Sequence, residues 1–393
     1  MSSSSPAFSS ASGGWRAALP PDWRAHLAHL GADDTMVAAL EAAADAAAAA
    51  DAAPGSRTGP VSRTGPVIPG RVARAEHSLA TVLTPAGQLR AGVGRDDRAC
   101  AGDWVLAGLA DPAAPVVTEV LPRRSELVRH AAGTKTLPQT LAANVDDVFV
   151  TVVADRGVSL TRVERFLALV WESGASPVVV LTKSDLLPPG ADGPLLTEAA
   201  GVAPGADVHL VSAVTGDGID GLAERMGPGR TAALIGSSGA GKSSLLNALA
   251  GAEVAATTQV RDADGKGRHK TAWRELVVLD RGGAIIDTPG LRGLGMWLDG
   301  GGLDAAFADI AELALACRFS DCQHDTEPGC AVTGAIEAGS LGARRLESYH
   351  KLEREAAYVA RKTDARAARA QSRAWAAMTR QSQGQTRHRT RSS

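Results

Sequence analysis

The segment GSSGAGKS, Gly236 to Ser243, brings three glycines, a lysine and three serines together within eight residues. It follows an apolar run, Ala232 to Ile235, and leads into LLNALAG, so it stands between a strand and a helix. That context suits a loop that cradles phosphate. Gly236, Gly239 and Gly241 let the backbone turn its N–H groups around an anion, together with those of Ser237, Ser238 and Ala240. Lys242 is placed to reach β- and γ-phosphates and Ser243 to ligate magnesium. The helix start, running through Ser244, adds its partial positive charge. DTPG, Asp287 to Gly290, offers Asp287 as a magnesium partner, directly or through water, and the Gly290 N–H as a γ-phosphate sensor. TKSD, Thr182 to Asp185, ends another apolar run. Asp185 can accept two hydrogen bonds from guanine, at N1–H and the exocyclic amine, and adenine offers no such pair. Lys183 would lie along the base plane, with Ser184 in the same turn. Thr182 stands where asparagine is common. Ser212 and Ala213 of VSA would close the pocket on the guanine oxygen through a backbone N–H.

The order of these motifs carries further information. In an ordinary guanine-nucleotide hydrolase the phosphate-reading motifs come first. Here TKSD and VSA precede the phosphate loop and DTPG follows it. A rotated order with every part present implies circular permutation, and the chain leaves the nucleotide unit just after a phosphate-sensing loop.

Between the phosphate loop and DTPG lies GKGRHKTAWREL, Gly265 to Leu276, which its composition marks as a mobile loop. Thr271 is the candidate to complete magnesium coordination. After DTPG stands Leu291, where many such enzymes carry a water-orienting glutamine. An apolar side chain cannot orient water, so His269 is the candidate catalytic group. A solvated loop histidine or an RNA contact is the alternative. Further on, Cys317, Cys322, His324 and Cys330 form C-x4-C-x-H-x5-C, with Pro328 and Gly329 supplying a turn. Three thiolates and an imidazole suit one tetrahedral zinc, and with all four ligands from the protein the site is structural. Cys100 stands apart and reads as a core residue.

Positioning these groups requires a largely parallel sheet covered on both faces. Val148 to Ala154, Val178 to Leu181, His209 to Val211, Ala232 to Ile235 and Ala284 to Ile286 read as its strands. Leu160 to Trp171 reads as a helix with Val163, Phe166, Leu167 and Val170 on its apolar face. The motifs fall at strand C-terminal ends, where such folds bind ligands. Upstream, from Gly70 to about Leu121, five short runs (RVARAE, LATVLT, QLRAGV, GDWVLAGL, VVTEVL) suit a small β-barrel. Such a barrel followed by Arg123-Arg124 either contacts nucleic acid or serves as a spacer. Residues 1–65 read as a poorly ordered extension. Met36 to Ala53 could form helix but shows no patterned apolar face that must pack, and SRTGPV repeats in tandem from Ser56 to Val67.

The 393 residues allow two or three domains, and the formal charge of −2 points the whole molecule at no particular partner. From Arg344 onward, however, thirteen Arg or Lys face four acids, which favours phosphate; a solvated tail is the alternative. Within that stretch, RRLESYHKLEREAAYVARK reads as a helix with Leu346, Tyr349, Leu352 and Ala356 on one side. No apolar run is long enough for a membrane span, the N-terminus lacks a secretory pattern, four cysteines are too few for a disulfide scaffold, and the three that cluster beside a histidine suit metal in a reducing cytosol.

Taken together, these residues resemble the circularly permuted ribosome-assembly GTPases of the RsgA/YjeQ type over about Pro69 to Lys362. The resemblance rests on PGRV, GDWV, LPRRSELVR, AANVDDVFV, VVVLTKSDLL, GSSGAGKSSLLNAL, GRHKTA, DTPG, CRFSDCQHDTEPGCAV and SYHKLERE. It implies an OB-fold barrel (66–135), a permuted α/β GTPase domain (140–298) and a C-terminal α-helical zinc domain (299–365), followed by a basic tail (366–393). It further implies GTP hydrolysis stimulated by the small ribosomal subunit, contact with that subunit's rRNA, a late maturation checkpoint, and a monomeric cytoplasmic protein. The family's catalytic loop histidine matches His269. Its loop usually reads GRHTTT, and here Lys270 and Ala272 replace the flanking threonines, leaving Thr271 as the magnesium candidate. Two further classes stand beside this one: a passive RNA-binding scaffold, opposed by the intact Lys242, Ser243, Asp185 and Asp287, and an ATPase, opposed by Asp185.

Overall fold

A computed structural model describes residues 15–52, 65–94, 99–130, 138–154, 159–255, 274–288 and 301–359. The barrel forms from β1 (Val67–Glu76), β2 (Leu79–Thr84), β3 (Gly87–Gly92), β4 (Trp104–Gly108) and β5 (Val116–Val120). It closes in the order β1-β2-β3-β5-β4, so no edge is left unpaired. Burial alternates along β2, whose Ala80, Val82 and Thr84 face inward, as a period of two requires. The five apolar runs of the sequence thus become the five barrel strands. A hairpin that the sequence pattern did not reveal, β6 (Glu126–His130) with β7 (Pro138–Ala143), then links the barrel to the next unit.

That unit is a six-stranded sheet. Its elements, in chain order, are β8 (Asp147–Val153), α3 (Leu160–Glu172), β9 (Ser176–Thr182), α4 (Asp192–Ala200), β10 (Asp207–Val211), α5 (Ile219–Ala223), β11 (Thr231–Gly236), α6 (Lys242–Ala250), β12 (Glu275–Val278) and β13 (Ala284–Asp287). Across the sheet the strands run β10-β9-β8-β11-β13-β12, all parallel except β12. β8, β9 and β11 are buried on both sides, which is why they read as continuous apolar runs rather than alternating ones. The expected apolar face of α3 (Val163, Phe166, Leu167, Val170) is buried on one side of the sheet. α5 and α6 cover the other side through Leu222, Leu245, Leu246 and Leu249. Glu275 and Leu276, expected in the loop before DTPG, instead open the edge strand β12, whose antiparallel partner is β13.

The C-terminal unit comprises α7 (Gly301–Ala306), α8 (Ala308–Ala314), α9 (Ala331–Glu337) and a helix α10 over 343–359. Leu346 and Leu352 of α10 are buried and Tyr349 and Ala356 are packed against the same core, as the sequence spacing predicts. The unit docks on α3. Glu164, fully buried, accepts from Arg344 Nη2 at 2.9 Å, Arg345 Nη1 at 2.9 Å and Ser348 Oγ at 2.6 Å. Arg345 also forks onto Asp309 and donates to the Ala306 carbonyl, so a buried charge pair is fully provided with partners.

The N-terminal segment departs from expectation. α1 (Trp23–His29) and α2 (Asp34–Ala52), preceded by a 3-10 turn at Trp15–Ala18, form a packed appendage. Trp15, Trp23, Leu27, Met36, Leu40 and Ala44 bury against Val67, Trp104, Leu106 and Leu121 at the barrel. Met36, Leu40 and Ala44 recur every four residues, so α2 does present a buried stripe. Surrounding alanines lowered its contrast in the sequence. The linker over 53–64 and the chain beyond 359 lie outside the described residues.

Candidate functional site

The phosphate loop leaves β11 at Gly236, where φ is +153° and a Cβ would meet Thr151 Oγ1 at 2.2 Å. Only glycine fits so close an approach. The loop ends at Gly241, which caps the N-terminus of α6 in the left-handed region. Lys242 folds back across the loop and its Nζ donates to the carbonyls of Gly236 at 3.1 Å and Ser237 at 3.0 Å. Burial pushes the Lys242 ammonium down from its ordinary value, with the Asp287 charge opposing that shift. Asp287, at the end of β13, is pushed up by burial, with Lys242 opposing. Its Oδ1 is buried without a hydrogen-bond partner among the described residues. An orphaned carboxylate oxygen beside a buried ammonium and a helix N-terminus suits a magnesium–phosphate group, with Ser243 half-buried at the start of α6.

The base-reading turn follows β9. Lys183 adopts φ 63° and ψ 42°, a left-handed residue that turns the chain so that Ser184–Leu186 forms a single 3-10 turn. Asp185 is exposed, yet its Oδ1 accepts from Ser212 Oγ at 2.6 Å. Ser212 is itself fully buried and its Oγ accepts from the N–H groups of Val214 and Thr215, both at 3.2 Å. TKSD and VSA therefore meet at one carboxylate. Ala213, half-buried, follows directly. Thr182, at the position where asparagine is common, is buried. Its hydroxyl donates to the Ala240 carbonyl of the phosphate loop at 2.9 Å.

The structure thus brings together Thr182 to Asp185, Ser212, Ala213, the Gly236 to Ser244 segment and Asp287 at the C-terminal ends of β9, β10, β11 and β13 in one sheet. His269, Thr271, Gly290 and Leu291 lie outside the described residues. The sequence reading missed Thr151 and Thr288, whose hydroxyls reach β11. The sequence carried no signal for them, since a threonine within or just after an apolar run reads as an ordinary strand residue.

The second cluster forms where α8 gives way to a loop. Ligand atoms of Cys317, Cys322, His324 and Cys330 all lie within 4.8 Å of one another. Cys317 Sγ and Cys330 Sγ stand 3.6 and 3.5 Å from His324 Nδ1. Cys330 caps α9 and accepts from the Thr333 N–H at 3.4 Å. Burial pushes the Cys330 thiol up, but hydrogen bonds from Thr333, His324 and Cys322 outweigh it and bring the thiol down to about 6. This donor set could hold a metal ion, and its thiolate–imidazole chemistry fits zinc. Cys100 is buried at the barrel, as expected of a core residue. Among the described residues no helix is long and apolar enough to cross a membrane.

Residues 120–297 match the family model for the RsgA GTPase. A protein of Streptomyces coelicolor named small ribosomal subunit biogenesis GTPase RsgA is 49% identical over 308 residues, covering 77% of this chain and 84% of its own. The crystal structure of YjeQ from Thermotoga maritima is similar at TM-score 0.57 and 28% identity, over 74% of this chain and 98% of that one. YloQ, described as a circularly permuted GTPase, is similar at TM-score 0.54 and 24% identity, over 74% of this chain and 95% of its own.

Proposed function

The chain belongs to the RsgA family of circularly permuted GTPases, and from that premise we propose that it serves in biogenesis of the small ribosomal subunit, hydrolysing GTP as a late assembly checkpoint and release switch. GTP hydrolysis is the family's activity. The observation that carries the site assignment is the junction at Thr182. A base-reading turn and a phosphate loop 54 residues later in the chain are joined by one hydrogen bond that passes over the end of β8, which lies between their two strands.

In this reading Asp185 accepts from guanine N1–H and the exocyclic amine, while Lys183 lies along the base and Ser212 fixes the carboxylate. The N–H groups from Gly236 to Gly241 receive the phosphates, with Ser244 in the first helical turn. Lys242 exchanges its two loop carbonyls for the β- and γ-oxygens. Ser243, Asp287 and Thr271 would hold magnesium, which would supply neutralisation of the phosphate charge. Gly290 reports the γ-phosphate and His269 orients the attacking water. Cys317, Cys322, His324 and Cys330 hold a structural zinc. The partner is the small subunit and its rRNA, which the basic stretch from Arg344 would meet by phosphate contacts, and the setting is the cytoplasm.

The test is GTP turnover with and without purified small subunits. Slow turnover alone, rising at least about ten-fold with subunits as expected when a catalytic group is ordered, supports the reading. Subunit binding without any stimulated hydrolysis would leave the passive scaffold. Equal turnover of ATP would remove the guanine assignment.

A further inference from the structure

Five backbone carbonyls between Leu234 and Ala240 are held by side chains, and three of those side chains are buried threonines from three different strand ends. Thr288, following β13, donates to the Leu234 carbonyl at 2.5 Å. Thr151 of β8 donates to the Ile235 carbonyl at 2.9 Å. Thr182 of β9 donates to the Ala240 carbonyl at 2.9 Å. The three are 0%, 1% and 4% exposed. The other two carbonyls, of Gly236 and Ser237, are held by Lys242.

A trans peptide points its N–H opposite to its C=O. When the Ala240 carbonyl is drawn toward β9, the Gly241 N–H faces the other way. The Leu234 and Ile235 carbonyls, by contrast, belong to the last residues of β11 before the loop, and Thr288 and Thr151 anchor them there. Thr182 therefore aims a loop donor at the space an anion would fill, while Thr151 and Thr288 fix the end of β11 from which the loop springs. Lys242 cannot do this during binding, because it must leave its two carbonyls to reach phosphate. The threonine contacts are the ones that need not break.

We propose that Thr151, Thr182 and Thr288 are positioning residues that hold the phosphate loop in its anion-receiving form before nucleotide arrives. The proposal rests on the reading of Gly236–Ser243 as a nucleotide site and assigns three residues to its preparation. It also gives the threonine of TKSD a task that does not involve the base. Two of the threonines neighbour a working part: Thr182 the base reader Asp185, Thr288 the magnesium candidate Asp287. Thr151 instead packs against the Gly236 backbone itself.

The experiment measures GDP and GTP affinity of the full chain carrying Thr182→Val, Thr151→Val or Thr288→Val, each beside its serine counterpart. Valine keeps the shape and removes the donor, leaving a buried carbonyl unpaired. Each valine variant should bind both nucleotides about three- to ten-fold more weakly, as loss of one such bond implies. Serine should restore affinity to within about two-fold. The loss should lie in KM and Kd, and preference for guanine over xanthine nucleotide should not move. Melting temperature is followed in parallel, because a merely structural role would lower it without weakening binding at temperatures where the variant is folded. If Thr182→Val does not fold, Thr182→Ala, which admits a water to the carbonyl, is read in the same way. Native-like affinity in folded valine variants, or losses that serine does not restore, would overturn the proposal while leaving the nucleotide site standing. A native chain that binds no GDP would sink both.

Discussion

Asp185 is exposed, but it does not wave freely, because Ser212 Oγ holds one of its oxygens at 2.6 Å and Val214 and Thr215 hold Ser212 in turn. A fixed, charged acceptor is the chemistry guanine needs. Asp185→Asn exchanges one acceptor oxygen for a donor and removes the charge. Charge-assisted bonds of this kind contribute about 1.5–3 kcal/mol. GDP affinity should therefore fall by roughly ten- to a hundred-fold. Xanthine carries a carbonyl where guanine carries its amine, so xanthosine diphosphate should bind the variant better than the native chain. Both affinities can be read by titration. Unchanged GDP binding, with no gain for the xanthine nucleotide, would remove Asp185 from the base site.

At the level of elements, the loop between α8 and α9 has little apolar content with which to hold itself. Gly329 lies at φ +80°, its missing Cβ 3.1 Å from the Arg318 Cβ, and the cluster gathers three thiols and an imidazole. Metal binding would contribute folding energy there directly. Cys322→Ser, or chelation of the native chain, should open the loop over 317–330 to protease while the sheet still binds GDP. Elemental analysis should give one zinc per native chain, and a metal-free native chain with an equally protected loop would refute the assignment. This element was legible because ligand chemistry restricts residue type and spacing. The nucleotide motifs were legible for the same reason, as were β8, β9 and β11, whose two buried faces leave unbroken apolar runs. What escaped was set by tertiary context. Thr151 and Thr288 look like ordinary strand residues until a neighbouring carbonyl is in view. Glu275 and Leu276 look like loop until β13 pairs with them. α2 hides its stripe among alanines, and Glu164 gives no sign in sequence that Arg344 and Arg345, some 180 residues away, will bury with it.

At the scale of the molecule, the appendage of α1 and α2 ties the barrel to the end of the sheet opposite the phosphate loop. Three successive carbonyls at the end of α1 are each taken by another unit: Ala28 by the Gly229 N–H at 2.8 Å, His29 by the Gly283 N–H at 3.0 Å, and Leu30 by Arg71 Nη1 at 2.5 Å. Arg71 comes from β1 of the barrel and also donates to Thr231 Oγ1 at the start of β11 and to the Asn144 carbonyl. It is fully buried over the face of Trp104, and desolvation brings its pKa down to about 9, still charged near neutrality. A guanidinium serves here because its planar fork reaches acceptors on separate units at once, and an ammonium cannot. Arg71→Lys should destabilise the nucleotide-free chain by about 2–4 kcal/mol, since it leaves buried acceptors unpaired around a charge. Removing residues 1–52 should do the same and also expose Trp104 and Leu106. The effect should stop short of the nucleotide. Thr231 and Gly236 stand at opposite ends of β11, roughly 17 Å apart at the usual strand rise. GDP affinity of folded Arg71→Lys should thus stay within about two-fold of native while its melting temperature falls, whereas the threonine variants should lose GDP affinity. An unchanged melting temperature would mean the appendage rests on the barrel without binding it to the sheet. A large loss of GDP affinity would mean that the junction at Arg71 is coupled to the phosphate loop along β11.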